Sequence, residues 1–227
     1  MKGKIFNKQE VQAIIAGTKT MFREVLKVQP TNENQVFSTV ASSIRNKDIG
    51  THNFINPKAT WEQTKKFKCP YQVGQKIFVK ESFSKLLIHS GHQYYYPAHC
   101  IRECVDRDNG FHYWADGNPE FGDWESPRPA THMKQEHSRL TLEITNIKVE
   151  RLADISEGDA IKEGLDLDSE HSRLCLNIQD QPYSNDLIDG SAFKTIFAKN
   201  WNATHKKPEE KFEANPFVWV VYFKINK

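Results

Sequence analysis

The sequence predicts an α+β fold in a single domain, and three observations carry that expectation. Short capped helical segments are interspersed with strands of period two along the chain. The composition, 38% hydrophobic, 26% charged and 11% aromatic over 227 residues, is that of a folded chain long enough for a full core. The final apolar run has to pair with something upstream, so the whole chain is expected to form one domain with a small sheet or barrel.

The first helix is expected over roughly residues 8 to 16. Asn7 and Glu10 have the spacing of a capping box, and Phe6 stands where a hydrophobic staple would. Val11, Ile14 and Ile15 share a helical face, and Gly17 is a left-handed terminator. Directly after it, "AGTKTMFREV" (16 to 25) places Lys19 and Arg23 four residues apart. Residues 31 to 68 are polar and weakly periodic, and read as loop. "CPYQVGQKIFVKESF" predicts a turn at Val73–Gly74 and then a strand, with Ile77 and Val79 alternating against Lys76, Phe78 and Lys80.

Residues 84 to 136 form an aromatic, His-rich and Pro-punctuated insertion, with short strands around Tyr94–Tyr96 and Phe111–Trp114. "SRLTLEITNIKVERL" (138 to 152) is the clearest strand, alternating through Leu140, Leu142 and Ile144. Ser156 and Asp159 mark a second N-cap, and Gly164 closes a two-turn helix. Residues 166 to 190 read as an acidic loop, "SAFKTIFAKNW" (191 to 201) as a helix, and "NPFVWVVYFKI" (215 to 225) as a buried strand. The chain shows no repeats.

No run approaches the ~20 apolar residues that span a bilayer, and "MKGKIFNKQEV" lacks the apolar core of a secretory signal. A cytoplasmic protein with no membrane partner is expected. Cys69, Cys100, Cys104 and Cys175 are irregularly spaced, so thiols rather than disulfides are expected. "HCIREC" gathers His99, Cys100 and Cys104, with His112 further on, but it lacks a matching second half for zinc. No metal or cofactor is expected.

Net charge is +2, yet residues 1 to 80 hold 14 Lys/Arg against 5 Asp/Glu, and the remainder 17 against 24. A basic first third is a footprint for a nucleic-acid or nucleotide ligand.

The segments "AGTKT", "PYQVGQKIFVKE", "SRLTLEITNIKVERLADISEGDAIKEGL" and "NPFVWVVYFKI", in that order and spacing, resemble the ASCH-domain family, above all its longer phage and prophage members. The likeness covers residues 5 to 30, 69 to 83, 137 to 165 and 193 to 225, a little under half of the chain. It implies a PUA-like small β-barrel with short helices at its mouth and a cleft associated with RNA or modified nucleosides. One branch of the family hydrolyses N4-acetylcytidine with a lysine, a threonine three residues later, and a glutamate in an Ala-x-x-Glu helix. The matching positions are Lys19, Phe22 and Glu163. Arg23 fits the phage-type pattern, whereas Glu24 stands where that branch has an arginine.

Amide hydrolysis needs a nucleophile, a base and an acid for the leaving amine. Lys19 and Glu163 can supply acid–base chemistry, but Phe22 cannot attack a carbonyl. Thr20, or a water held by Lys19 and Glu163, would have to replace the missing hydroxyl. The first expectation is therefore binding of RNA, single-stranded nucleic acid or a modified nucleoside through Lys19, Phe22, Arg23 and Lys80. An N4-acetylcytidine amidohydrolase or a ribonuclease is the alternative, and a protein partner is a further reading. If Lys19 and Arg23 contact phosphate, removing either should lower affinity with little loss of stability.

Overall fold

The computed structural model describes residues 1–39, 50–87, 110–119, 122–165, 167, 170–178, 187–189 and 191–226. In chain order its elements are β1 (Lys2–Ile5), α1 (Lys8–Ile15), β2 (Met21–Val25), β3 (Val36–Thr39), β4 (His52–Asn56), β5 (Ala59–Gln63), β6 (Lys76–Lys80) and β7 (Phe83–Lys85). They continue with β8 (Phe111–Tyr113), β9 (Thr141–Arg151), α2 (Glu157–Lys162), α3 (Glu170–Ile178), α4 (Ala192–Thr204) and β10 (Phe217–Ile225). The fold is α+β. Among the described residues every sheet is open and none closes into a barrel. No described helix is long and apolar enough to cross a membrane.

The chain divides into two compact units, each assembled from separate segments. The first comprises Met1–Thr20, Lys76–Glu143 and Phe223–Lys227. Here β1 runs parallel to β6, with Lys2 beside Ile77 and Ile5 beside Lys80. Strand β6 in turn runs antiparallel to the start of β9, with Phe78 beside Thr141. Ile77, Phe78 and Val79 are all buried, because Gly3 leaves room on the second face. A Cβ on Gly3 would lie 2.6 Å from Phe78 Cζ and 2.8 Å from Lys80 Cδ.

Helix α1 has the expected cap: Asn7 Oδ1 accepts from the Glu10 amide at 2.9 Å, and Glu10 Oε2 accepts from the Asn7 amide at 2.9 Å. Val11 and Ile14 are wholly buried. Gly17 ends the helix at φ 77°, a conformation that costs an L side chain free energy. Strands β7 and β8 pair antiparallel, and Phe83, Tyr113 and Met133 pack beneath them.

The second unit comprises Met21–Gln75 and Ile144–Tyr222. Its sheet has the order β9–β10–β2, with Met21 opposite Tyr222 and Val25 opposite Val218. Met21, Leu152, Ile155, Ala160, Phe197, Trp201, Val218 and Val220 form its core. Asn215 adopts a left-handed conformation (φ 47°), and its Oδ1 accepts from the Ala153 amide at 2.8 Å. That contact fixes the turn leading into β10.

Residues 21 to 25 form a strand in which Met21, Phe22 and Arg23 are buried. Two expectations are corrected here. Residues 31 to 68 contain a three-stranded sheet, β3–β4–β5, whose polar residues satisfy one another: Asn53 Nδ2 donates to Gln63 Oε1 at 2.9 Å, and the Phe54 amide to Thr64 Oγ1 at 2.9 Å. The acidic stretch after residue 166 contains α3. The strand expected at Tyr94–Tyr96 and the His99, Cys100 and Cys104 cluster lie outside the described residues.

Candidate functional site

Among the described residues of the second unit, a dense polar cluster forms around Arg23. Strand alternation puts Met21, Arg23 and Val25 on one face and Phe22 and Glu24 on the other. Arg23 lies opposite Val220 of β10, facing the core, and its side chain is 0% exposed. A buried guanidinium requires compensation, and three carboxylates provide it. Arg23 Nη1 donates to Glu163 Oε1 at 2.8 Å and Nη2 to Glu150 Oε1 at 2.6 Å, with Asp159 Oδ2 3.8 Å from Nη2. The Arg23 guanidinium carbon also lies 5.7 Å from the centre of the Phe197 ring.

Two short elements hold these carboxylates. Glu150 stands near the end of β9. Asp159 lies in the first turn of α2, where its amide donates to the Ser156 cap at 3.1 Å, and Glu163 caps the other end. Residues four apart on a helix share a face, so Asp159 and Glu163 turn towards Arg23 together. Buried Ala160 anchors the helix in the core.

At the rim, Lys148 Nζ lies 2.8 Å from Glu150 Oε2 and 3.3 Å from Asp159 Oδ2, and 5.5 Å from the Tyr222 ring centre. Lys162 Nζ is 3.5 Å from Asp159 Oδ1. Three cations thus meet three carboxylates, and the cluster carries no formal net charge. Burial works against the charge on Lys148, yet its bonds to Glu150 and Tyr222 outweigh that and raise its pKa. Burial likewise opposes the charge on Asp159, but the Lys148 hydrogen bond and the neighbouring cations hold its pKa below the ordinary 3.8. Side-chain exposure falls from 38% at Lys148 to 16% at Glu150 and 8% at Glu163. The cluster therefore runs from solvent down to the buried guanidinium.

The other residues singled out from the sequence lie as follows. Lys19 belongs to the first unit, is buried, and has its Nζ 3.4 Å from Glu10 Oε1. Neither it nor Arg23 is the exposed cation expected at a phosphate. Thr20 is half-buried, and its carbonyl accepts from the Phe223 amide at 2.9 Å. Phe22 is buried with its ring edge-on to Tyr71 at 5.4 Å, which leaves it a wall rather than an open stacking face. The Tyr71 hydroxyl donates to Glu24 Oε2 at 2.7 Å; burial first, and then that bond, raises the tyrosine pKa. Lys80 Nζ donates to the Thr131 carbonyl at 2.7 Å.

From the sequence Asp159 was read only as part of a helix cap, and Glu150 and Lys148 were not singled out. Their signals were a charged pair two apart inside an apolar strand and two acids four apart on a two-turn helix. A second cluster, in the first unit, also went unnoticed. Buried Glu81 accepts from Arg139 Nε and Nη2 at 3.0 Å each, while Arg139 also forks onto Asp116 and lies 4.2 Å from the Tyr113 ring centre. Burial raises the Glu81 pKa in spite of Arg139. Among the described residues no group of three or more His, Cys, Asp or Glu is arranged to hold a metal ion.

Compared with family models, curated proteins and solved structures, the chain matches none.

Proposed function

We propose that the chain binds a nucleobase or modified nucleoside of the cytidine type, with Glu163, Glu150 and Asp159 as the recognising groups. One observation carries the reading: Arg23, with no exposed side-chain surface, fixes two mostly buried carboxylates at 2.8 and 2.6 Å. Carboxylates are acceptors, and the exocyclic amine of cytosine is the donor they pair with. Holding them on a buried guanidinium fixes their geometry before a ligand arrives, which lowers the ordering cost of binding. The neutral cluster offers no net attraction to phosphate, so affinity comes from the base edge, with Lys148 and Lys162 at the rim for the backbone of a longer strand.

The resemblance to the ASCH family supports the same ligand class and the finer expectation of a PUA-like fold of phage type. It also assigns a part to Lys19. Phe22 argues for binding over hydrolysis, since no hydroxyl stands at the nucleophile position.

The test is thermal stabilisation by cytidine, N4-acetylcytidine, uridine and a short RNA, with product analysis on the same samples. Wild type should be stabilised by the two cytidines, and Glu163→Gln should lose that response. Absence of stabilisation by any nucleoside would refute the reading. Release of cytidine and acetate from N4-acetylcytidine, abolished in Glu163→Gln, would make the protein an amidohydrolase using activated water. Cleavage of the RNA would make it a ribonuclease.

A further inference from the structure

In the first unit the hairpin β7–β8 closes over a small aromatic layer, and His137 sits in that layer. Phe83 lies opposite Tyr113 and Lys85 opposite Phe111. The His137 ring centre stands 4.7 Å from that of Phe111 and 5.5 Å from that of Phe83. Its backbone is fastened to the same hairpin, because the Tyr113 hydroxyl donates to the His137 carbonyl at 2.9 Å. The hairpin itself is held by the Leu86 amide on the Gly110 carbonyl at 2.9 Å and the Trp114 amide on the Ser82 carbonyl at 3.0 Å. Only 12% of the His137 side chain remains exposed. The layer therefore closes only by drawing an imidazole out of water.

The site admits that ring in its neutral form. Nε2 lies 3.4 Å from Glu136 Oε1, which puts the single proton of a neutral imidazole there and leaves Nδ1 a bare lone pair. Nδ1 is buried with no hydrogen-bond partner among the described residues. A second proton would make it a charged, desolvated N–H with no acceptor. The surrounding charges add to that cost. Lys85 on β7, Arg128 on the segment that bridges to Phe83, and Lys134 all oppose a further positive charge, and of the four neighbours only Glu136 favours it. Glu136 is shared with Lys134, whose Nζ is 3.7 Å away, and Arg128 is paired with Glu125. Phe111 already faces one cation, since Lys85 Nζ lies 5.7 Å from its ring centre. On the β8 side Tyr113 packs against Arg139, whose charge is met by Glu81 and Asp116. Burial first, and then Lys85, holds the His137 pKa below the ordinary 6.5.

We propose that His137 is an acid-operated latch on the β7–β8 hairpin. As a neutral ring it packs on Phe83 and Phe111 and the hairpin is shut; a proton taken from water onto Nδ1 opens the hairpin, while β1, β6 and β9 stay paired. In the open form the imidazole regains its ordinary 6.5, so the open form binds the proton more tightly than the closed one. The closed form is at full strength above 6.5 and loses ground as pH falls from there to the lowered value of the closed state. Over that window each unit of pH favours opening by up to about tenfold, the limit for one proton. Opening brings Phe83 and Phe111 to water, so acid exposes an apolar surface that is sealed at neutral pH. The latch lies wholly within the first unit and does not depend on the reading of the Arg23 cluster.

The experiment combines a histidine NMR titration with amide hydrogen exchange on the full chain, between about pH 5 and 8. His137 should titrate below 6.5. Protection of the Leu86 and Trp114 amides should fall with pH below 6.5, by up to about tenfold per unit. Protection of the Phe6 amide, which bonds the Lys80 carbonyl at 3.1 Å, should stay level. His137→Phe keeps an aromatic ring but cannot titrate, and should abolish the pH dependence at Leu86 and Trp114. Lys85→Gln should move the His137 titration up and Glu136→Gln should move it down, opposed shifts that a loss of packing would not give. If His137→Phe fails to fold, these two charge variants decide. A wild-type titration of His137 at or above 6.5, hairpin protection indifferent to pH, or an equal loss at Phe6 would each overturn the proposal. So would a His137→Phe variant with wild-type pH dependence, or charge variants that leave the titration unmoved.

Discussion

Replacing Arg23 by methionine isolates what the buried guanidinium does. Methionine keeps most of the unbranched stem but removes the charge, both donors and the guanidinium that lies over the Phe197 ring. Glu163 and Glu150, 8% and 16% exposed, would then lose the guanidinium that holds both, while Lys148 stays beside Glu150. Breaking a buried pair by removing one partner costs about 3–5 kcal/mol. With a urea slope of about 2 kcal/mol per M, the unfolding midpoint should fall by about 2 M. Adding Glu163→Gln to Arg23→Met removes one of the carboxylate charges that Arg23 had balanced and should recover part of the loss, since partners in one network are non-additive by about 0.5–3 kcal/mol. Equilibrium urea unfolding followed by tryptophan fluorescence reads both effects. A midpoint drop under about 0.5 M would put Arg23 in the range of a surface salt bridge, about 0–1 kcal/mol, and refute the argument. The burial of Arg23 thus reverses the sequence-based expectation that it can be removed with little loss of stability.

Asp159 has its folded pKa held below 3.8, so its ionised form stabilises the protein above that value and the contribution fades as pH falls through the lowered folded pKa; Asp159→Asn should lessen the acid sensitivity of the melting temperature below about pH 4. Gly3→Ala forces Phe78 and Lys80 aside and should cost about 1–3 kcal/mol in thermal unfolding; a melting temperature equal to wild type would show that the Phe78 ring moves freely. Arg139→Ala leaves buried Glu81 without its bidentate partner and should cost about 3 kcal/mol. Arg139→Lys should restore only a minor part, because an ammonium cannot fork onto Glu81 and Asp116 together.

The helix caps and the two long strands were legible because their signals are local. Asn7 and Glu10 specify a start within four residues, and β9 shows its period within a dozen. What escaped depends on partners far along the chain. β2 carries no strand signal of its own because Arg23 sits mid-strand, and its carboxylate partners, more than a hundred residues later, make its burial possible. β3 and β4 are four and five residues long, and polar Asn53 is buried because Gln63 answers it. The candidate site followed the same rule. Glu163 and Arg23 were both singled out, but their direct pairing was not, because no local spacing encodes a contact between a strand and a helix end so distant in sequence.

The pairing of β2 with β10 also sets an order of events during synthesis. Val25 meets Val218, and Met21 meets Tyr222, so β2 emerges from the ribosome about 190 residues before its partner. At roughly 5–20 residues per second that wait is about 10–40 s. Throughout it, the hydrogen-bonding edge of "MFREV" that will face β10 has no native strand to close it, and Arg23 waits for its first carboxylate until β9 is made. Open strand edges of this kind are templates for pairing between chains. A cation in the middle of β2 keeps the nascent strand soluble over that interval, and the same cation is withdrawn from water once the last strand arrives.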